Sequence, residues 1–174
     1  MKNYRNKQFG FTLMEIMVFL AIFSVVIVSV LSFFMWTSRS YYKINAAQEV
    51  LTNISRAMNV ITNEIKLAND IYGPTTANNQ LSLVTDNELP VGESSTYVDI
   101  FNCDGRICLK REGAPPVAIT SNEVVVETLS FTQIATTSVP SIEIVVKLKY
   151  NTDSPRPDYQ SSMQANSVAS LRDY

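Results

Sequence analysis

The sequence predicts an α+β fold: one long N-terminal α-helix packed on an antiparallel β-sheet ectodomain. Three observations carry that expectation. No Pro or Gly interrupts Phe11 to Tyr72, and Gly73-Pro74 then supplies residues that end helices. Within that span an apolar run gives way to an amphipathic stripe spaced alternately three and four. Beyond Pro74 the composition turns to Thr, Ser, Asn, Val and Ile, and the apolar period falls to two. A chain of 174 residues fits one small ectodomain on a stalk, not two independent domains. The boundaries that follow are a leader at 1–10, a transmembrane half-helix at 11–37, a soluble amphipathic half at 38–72 and a β-rich extracytoplasmic domain at 73–174.

The first elements are set by polarity. Lys2, Arg5 and Lys7 precede a run from Ile16 to Trp36, 21 residues relieved only by Ser24, Ser29 and Ser32. About 20 helical residues cross a hydrocarbon core. The cations favour a cytoplasmic N-terminus, and Trp36, Tyr41 and Tyr42 suit an interfacial belt at the outer end. A cleavable secretory signal has an apolar region of about 7–15 residues ending in a small-residue cleavage site. Here the run is longer, and Gly10 lies before it. The expected topology is a single pass through the cytoplasmic membrane, with the ectodomain periplasmic or extracellular.

Glu15 is the anomaly in that segment. An ionisable side chain at membrane depth is expensive and points to a function that supplies a partner. Thr12-Leu13-Met14-Glu15 also has the capping-box pattern, in which Thr12 and Glu15 satisfy free amides of the first turn. A carboxylate there complements the positive end of the helix dipole. Helix capping alone leaves unexplained the Gly10-Phe11 bond between polar leader and apolar helix.

Lys7-Gln8-Phe9-Gly10 followed by Phe11-Thr12-Leu13-Met14-Glu15-Ile16-Met17-Val18 closely resembles the class III signal of type IV pilins and type II secretion pseudopilins. The resemblance covers about the first 30 residues. It implies that prepilin peptidase cuts between Gly10 and Phe11 on the cytoplasmic face and methylates the new amine of Phe11. It implies, too, that the Glu15 carboxylate neutralises the amine of a neighbouring subunit and so registers subunits along a filament. Opposite charges about 4 Å apart attract by about 4 kcal/mol at an effective dielectric near 20. Desolvation cuts the net value, so the pair serves registration more than stability. The partners implied are other pilin or pseudopilin subunits, prepilin peptidase, an inner-membrane assembly platform and membrane lipid. A small Gly before the cut suits close approach of the peptidase, and the helix stays attached as the anchor.

Past the membrane segment Ile44, Ala47, Leu51, Ile54, Met58, Ile61, Ile65 and Ala68 form the stripe of an amphipathic helix. One helix from Phe11 to Tyr72 would be roughly 90 Å long. The stripe is too short for an extended coiled coil, and the strand-rich region needs a helix to cover one face. Strands are expected at Gln80–Thr85, Tyr97–Cys103, Arg106–Arg111, Pro116–Thr120, Glu123–Ile134, Ser141–Tyr150 and, more weakly, Gln160–Arg172. Ile142, Ile144, Val146, Leu148 and Tyr150 share the face expected to lie on the helix. Around Glu127 the alternation changes phase, which predicts a bulge or bend. Asp104-Gly105 is a hairpin signal. The β-region is compatible with one sheet wrapped on the helix or two smaller sheets, and we favour two.

Cys103 and Cys108 flank that hairpin. A two-residue turn makes them diagonal neighbours, a four-residue loop makes them directly opposite, and both geometries bring them close. An extracytoplasmic compartment permits oxidation, so they are a candidate disulfide with a short, local loop. Two thiols and no His anywhere leave too few ligands for zinc.

The totals exclude several classes. Without the leader the side-chain balance is 11 − 16 = −5, unlike the basic footprint of a nucleic-acid binder. Lys110-Arg111 and Lys147/Lys149 are expected to be solvated strand faces. No catalytic residue is proposed: an imidazole triad is excluded, and no Gly-rich phosphate loop is present. Asp153 and Asp158 lack calcium-ligand spacing, and Pro155 and Pro157 favour a plain turn, so no metal and no cofactor are expected.

Within the resembled family the strand-rich domain is most similar to a minor, J-type pseudopilin or its minor-pilin counterpart. Retention of Glu15 argues against the tip-most subunit type that lacks this acid. Ser32 and its apolar neighbours stand where many pilins carry a helix-breaking Pro or Gly. The alternative from another class is a single-pass membrane protein whose ectodomain binds a ligand or partner and never polymerises, in which Gly10-Phe11 stays intact.

Overall fold

The computed structural model describes residues 12–73, 76–87, 89, 92–134 and 140–171. The chain divides into two units, Met1–Tyr41 and Tyr42–Tyr174. A single helix, α1 (Leu13–Leu67), supplies the described helical residues of the first unit and opens the second.

Among the described residues eight strands follow α1. β1 (Asp70–Ile71), β2 (Gln80–Thr85), β3 (Thr96–Cys103), β4 (Arg106–Arg111) and β5 (Val117–Ala118) form an antiparallel sheet in sequence order. β6 (Val124–Ile134), β7 (Ser141–Tyr150) and β8 (Ser162–Ser170) form a second antiparallel sheet, also in order. The architecture is α+β, with the Tyr42–Leu67 part of α1 packed on antiparallel sheets, and the preference for two sheets over one holds. Pro116, Ile119, Thr120, Glu123, Gln160, Ser161 and Leu171, expected in strands, fall outside them, and Arg172 lies outside the described residues.

Alternation decides which face of each strand turns inward. Ile142, Ile144, Val146 and Leu148 are almost fully buried and join Leu81, Leu83, Val98, Ile100 and Ile107 of the first sheet in one core. The phase change in β6 is a bulge: Val126 opposes Leu148 and Thr128 opposes Lys147, leaving Glu127 extra. Val124 therefore faces the core before it, and Leu129 and Phe131 after it. Glu127 Oε2 reaches Lys147 Nζ at 2.9 Å. The two sheets meet at β6, whose Val126 amide donates to the Gly105 carbonyl at 2.8 Å and whose Phe131 amide donates to Asn78 at 2.8 Å.

Two expectations about α1 need correction. The helix ends at Leu67, not Tyr72. The Asn69 amide turns away to donate to Val84 O (2.8 Å), Asp70 Oδ1 accepts the Ile71 amide (2.8 Å), and Asp70 and Ile71 pair with Val84 and Leu83 as β1. An Asn-Asp pair readily leaves a helix through such local bonds, and here a sheet edge captures the released chain. Thr85 Oγ1 donates to the Leu67 carbonyl (3.3 Å) and helps close the helix end. The buried stripe also differs. It is Ala46, Val50, Asn53, Ile54, Ala57, Ile61, Ile65 and then Ala68, whereas Ile44 and Leu51 are 55% and 52% exposed. Small Ala46, Val50 and Ala57 let the helix backbone approach the strands, and Ile54, Ile61 and Ile65 fill what remains.

Ile61→Ala is expected to lower unfolding stability by about 2–5 kcal/mol, the range for a buried large-to-small change. Ile44→Ala is expected to stay within about 0.5 kcal/mol. Denaturant melts of the two variants side by side discriminate the buried stripe from the exposed one.

Candidate functional site

The start of α1 is built by one cap. Thr12 precedes the first helical residue, its Oγ1 accepts the Glu15 amide at 3.3 Å, and its carbonyl accepts the Glu15 and Ile16 amides. The cap uses the backbone of Glu15, not its side chain. The Glu15 carboxylate is exposed and has no partner among the described residues. Gly10 and Phe11, the junction singled out in the sequence, lie outside the described residues, as do Lys2, Arg5 and Lys7.

From Glu15 onward the helix surface is apolar on every side. Residues 12–37 are all exposed, and α1 is long and apolar enough to cross a membrane. Its hydroxyls are satisfied within the helix: Ser24 Oγ donates to Ala21 O (2.8 Å), Ser29 to Val25 O (2.9 Å) and Ser32 to Val28 O (2.8 Å). Such back-bonding removes the penalty of a bare hydroxyl in hydrocarbon. The helix also runs unbroken through Ser32. Among the groups of this segment, the Glu15 carboxylate alone carries charge until Arg39.

A second constellation, not foreseen from the sequence, fixes the soluble half of α1 to the strands. Asn53 is 4% exposed; its Nδ2 donates to Glu49 O (3.0 Å) and Oε1 (2.8 Å), and its Oδ1 accepts the Ser121 amide (2.8 Å). Ser121 Oγ donates to the same Glu49 Oε1 (3.1 Å). One turn from the helix end Glu64 Oε1 meets Arg111 NH2 at 2.8 Å. Arg111 and Lys147 are thus engaged by carboxylates, so the expectation that their clusters are simply solvated strand faces is revised. The available signal was Glu49 and Asn53 at i, i+4 beside the stripe, which also fits a solvated pair. At the other end of this half, the Tyr42 ring lies 5.3 Å from Tyr159, over which Arg156 sits at 5.6 Å. Tyr159 closes a 3₁₀ turn, Pro157–Tyr159, in the proline-bearing connection between β7 and β8.

Cys103 and Cys108 are joined as a disulfide with Cα atoms 5.9 Å apart. Asp104 and Gly105 take positive φ values of 51° and 78°, the two-residue turn that matches strand twist. Cys103 faces Arg106 and Cys108 faces Phe101, the diagonal of the two arrangements. Asn102 Oδ1 accepts the Gly105 amide at 3.0 Å. The same glycine's carbonyl receives Val126, so the hairpin tip belongs to the joint between the sheets.

Against known proteins, a family model described as the prokaryotic N-terminal methylation motif matches residues 5–31. The match spans the Gly10-Phe11 junction, Thr12, Glu15 and the serine-bearing apolar turns. Neither the curated proteins nor the solved structures give a match. The chain therefore carries a prepilin-type N-terminus on a membrane-length helix.

Asn53→Ala is expected to lower stability by about 1–2 kcal/mol, because the Ser121 amide loses its acceptor. Reducing the disulfide is expected to cost about 2 kcal/mol or less, given its short loop. Thermal melts with and without reductant read both, and the β3–β4 register should survive reduction.

Proposed function

We propose that this protein is a structural subunit, a minor pilin or minor pseudopilin, of a type IV pilus or type II secretion pseudopilus. The observation that carries the reading is the Glu15 carboxylate, without a partner among the described residues, in an otherwise apolar, exposed helical segment inside the matched motif. A lipid-facing carboxylate left alone is costly, so a site that retains one implies a cation supplied from elsewhere. In this reading residues 1–10 are the leader, and prepilin peptidase hydrolyses Gly10–Phe11. The freed amine of Phe11, then methylated, is the cation that Glu15 of an adjoining subunit receives. Attraction in the low-dielectric core fixes the axial step between subunits, and the apolar helix exchanges lipid contact for protein contact.

Before assembly the chain crosses the cytoplasmic membrane once, with its N-terminus cytoplasmic and its ectodomain periplasmic or extracellular. Residues 11–37 form the lipid-facing half and the rest of the helix, to Leu67, the soluble stalk, beyond which β1 to β8 build the sheets. Eight strands in two sheets, without a calcium-type loop spacing, favour the minor J-type subunit over a compact major one. The chain is a building block, not an enzyme, and its partners are other subunits, the peptidase and an inner-membrane assembly platform.

Intact mass of the purified mature protein with an N-terminal read tests processing: loss of ten residues plus one methyl group is expected, and an intact Gly10-Phe11 bond overturns the reading in favour of a non-polymerising membrane protein. Glu15→Leu and Glu15→Ala are expected to be cut normally yet enter filaments at about a tenth of the wild-type level or less, as loss of a buried charge pair implies. Wild-type incorporation of either variant removes the registering role.

A further inference from the structure

Two sheets have four lateral edges, and three of them are blunted. β1 and β5 are only two residues long. The outer edge of β6 is bulged at Glu127 and donates Val126 and Phe131 to the first sheet's loops. β8 differs. It runs nine residues in unbroken register with β7 and contains no charge, no Pro, no Gly and no bulge, the devices that protect an edge from pairing.

The ladder bonds at both ends of β8 fix which of its backbone groups are free. Tyr150 donates to Ser161 O, and Leu171 donates to Pro140 O. In an antiparallel pair hydrogen-bonded residues alternate with non-bonded ones, so the odd-numbered residues of β8 bond to β7. Gln164, Asn166 and Val168 turn their N–H and C=O groups outward.

Gln164 and Asn166 line a groove of about 770 Å³ whose other wall is α1. The floor is apolar: Leu51, Ile54 and Met58 from the helix, Met163 and Ala165 from β8. Met58, Met163 and Ala165 are only partly buried, so the core is incompletely covered along this line. The rim is amide-rich, and Lys66 is the single charged residue that lines it. A strand edge facing a helix across such a trough is the geometry in which an extended peptide adds as a further strand.

We infer that the α1/β8 groove docks an extended segment of a partner protein, added as a strand beside β8, apolar at alternate positions and carrying a carboxylate opposite Lys66. The ladder requires an extended backbone. The apolar floor requires every second side chain to be apolar, because alternate residues point down onto Leu51 and Met58. The lone cation selects an acidic over a basic segment. This inference rests on the ectodomain alone and stands or falls independently of cleavage at Gly10.

The test uses the full chain in detergent micelles and an end-blocked peptide of about eight residues, alternating Val and Thr with one terminal Glu. N-methylation of its far edge stops it stacking on itself. Amide exchange at Gln164, Asn166 and Val168 is expected to slow about tenfold or more at saturating peptide. Asn166→Pro deletes an outward donor while sparing the β7 ladder, a position where an edge strand tolerates Pro. It and Leu51→Glu, on the opposite wall, are each expected to weaken binding about tenfold or more with Tm unchanged. A peptide with Lys in place of Glu is expected to bind more weakly. The inference is overturned by absence of protection at millimolar peptide, or by binding that survives both substitutions. Protection that appears without peptide and grows with protein concentration overturns it too, since a second copy then covers the edge.

Discussion

One helix has to cover the apolar faces of two small sheets, and the ectodomain depends on that burial. A sheet of three strands, or of five with two-residue edges, cannot shelter its inner face alone. Val50, Ala57, Ile61 and Ile65 are fully buried against Leu81, Ile100, Ile144 and Leu148. Burial is non-directional, so something else must set the rotation and axial position of the helix. Asn53 does so, because its amide finds both Glu49 and the Ser121 backbone in only one setting. Arg111 and Glu64 repeat the constraint near the helix end.

The same helix meets opposite demands along its length. Residues 12–37 are exposed, so that surface is apolar all round and its serines fold their hydroxyls back onto carbonyls a turn earlier. Against that background the Glu15 carboxylate stands out as a charge without a local reason: the cap already functions through the residue's amide and Thr12. A group that is costly where it sits and unnecessary for local structure is best understood through what binds it, which links helix chemistry to assembly. In the second unit the helix is half-buried, and polarity returns on its open face.

Strand edges tie folding to recognition in a similar way. The bulge at Glu127 shifts the phase of β6, and just before it the Val126 amide, which alternation turns away from β7, reaches the Gly105 carbonyl and so unites the sheets through a turn with positive φ. A side chain at Gly105 would be strained by that φ and would sit 3.4 Å from Val125. The disulfide staples the hairpin just behind this tip. With the other edges shortened or engaged, β8 is the long, regular edge strand among the described residues.

Local periodicity made much of this legible. Lys7 to Val18 spelled the N-terminal motif, Ile142 to Leu148 alternated cleanly, the phase slip at Glu127 marked the bulge, and Asp104-Gly105 marked the turn that set the cysteines diagonally. Each is written in neighbouring residues, because helix capping, pleat and turn geometry act over one to four positions. The helix face was different: Ile44 and Leu51 are as apolar as Val50 and Ile61, and a lone helix offers no reason to prefer either stripe. Asn53 and the two residues of β1 were likewise decided by partners 12 to 68 positions away, Ser121, Leu83 and Val84. The sequence by itself determined the membrane segment, its signal and the strand periods; tertiary structure alone chose the buried stripe, the helix end and the open edge, because those depend on which distant surfaces meet.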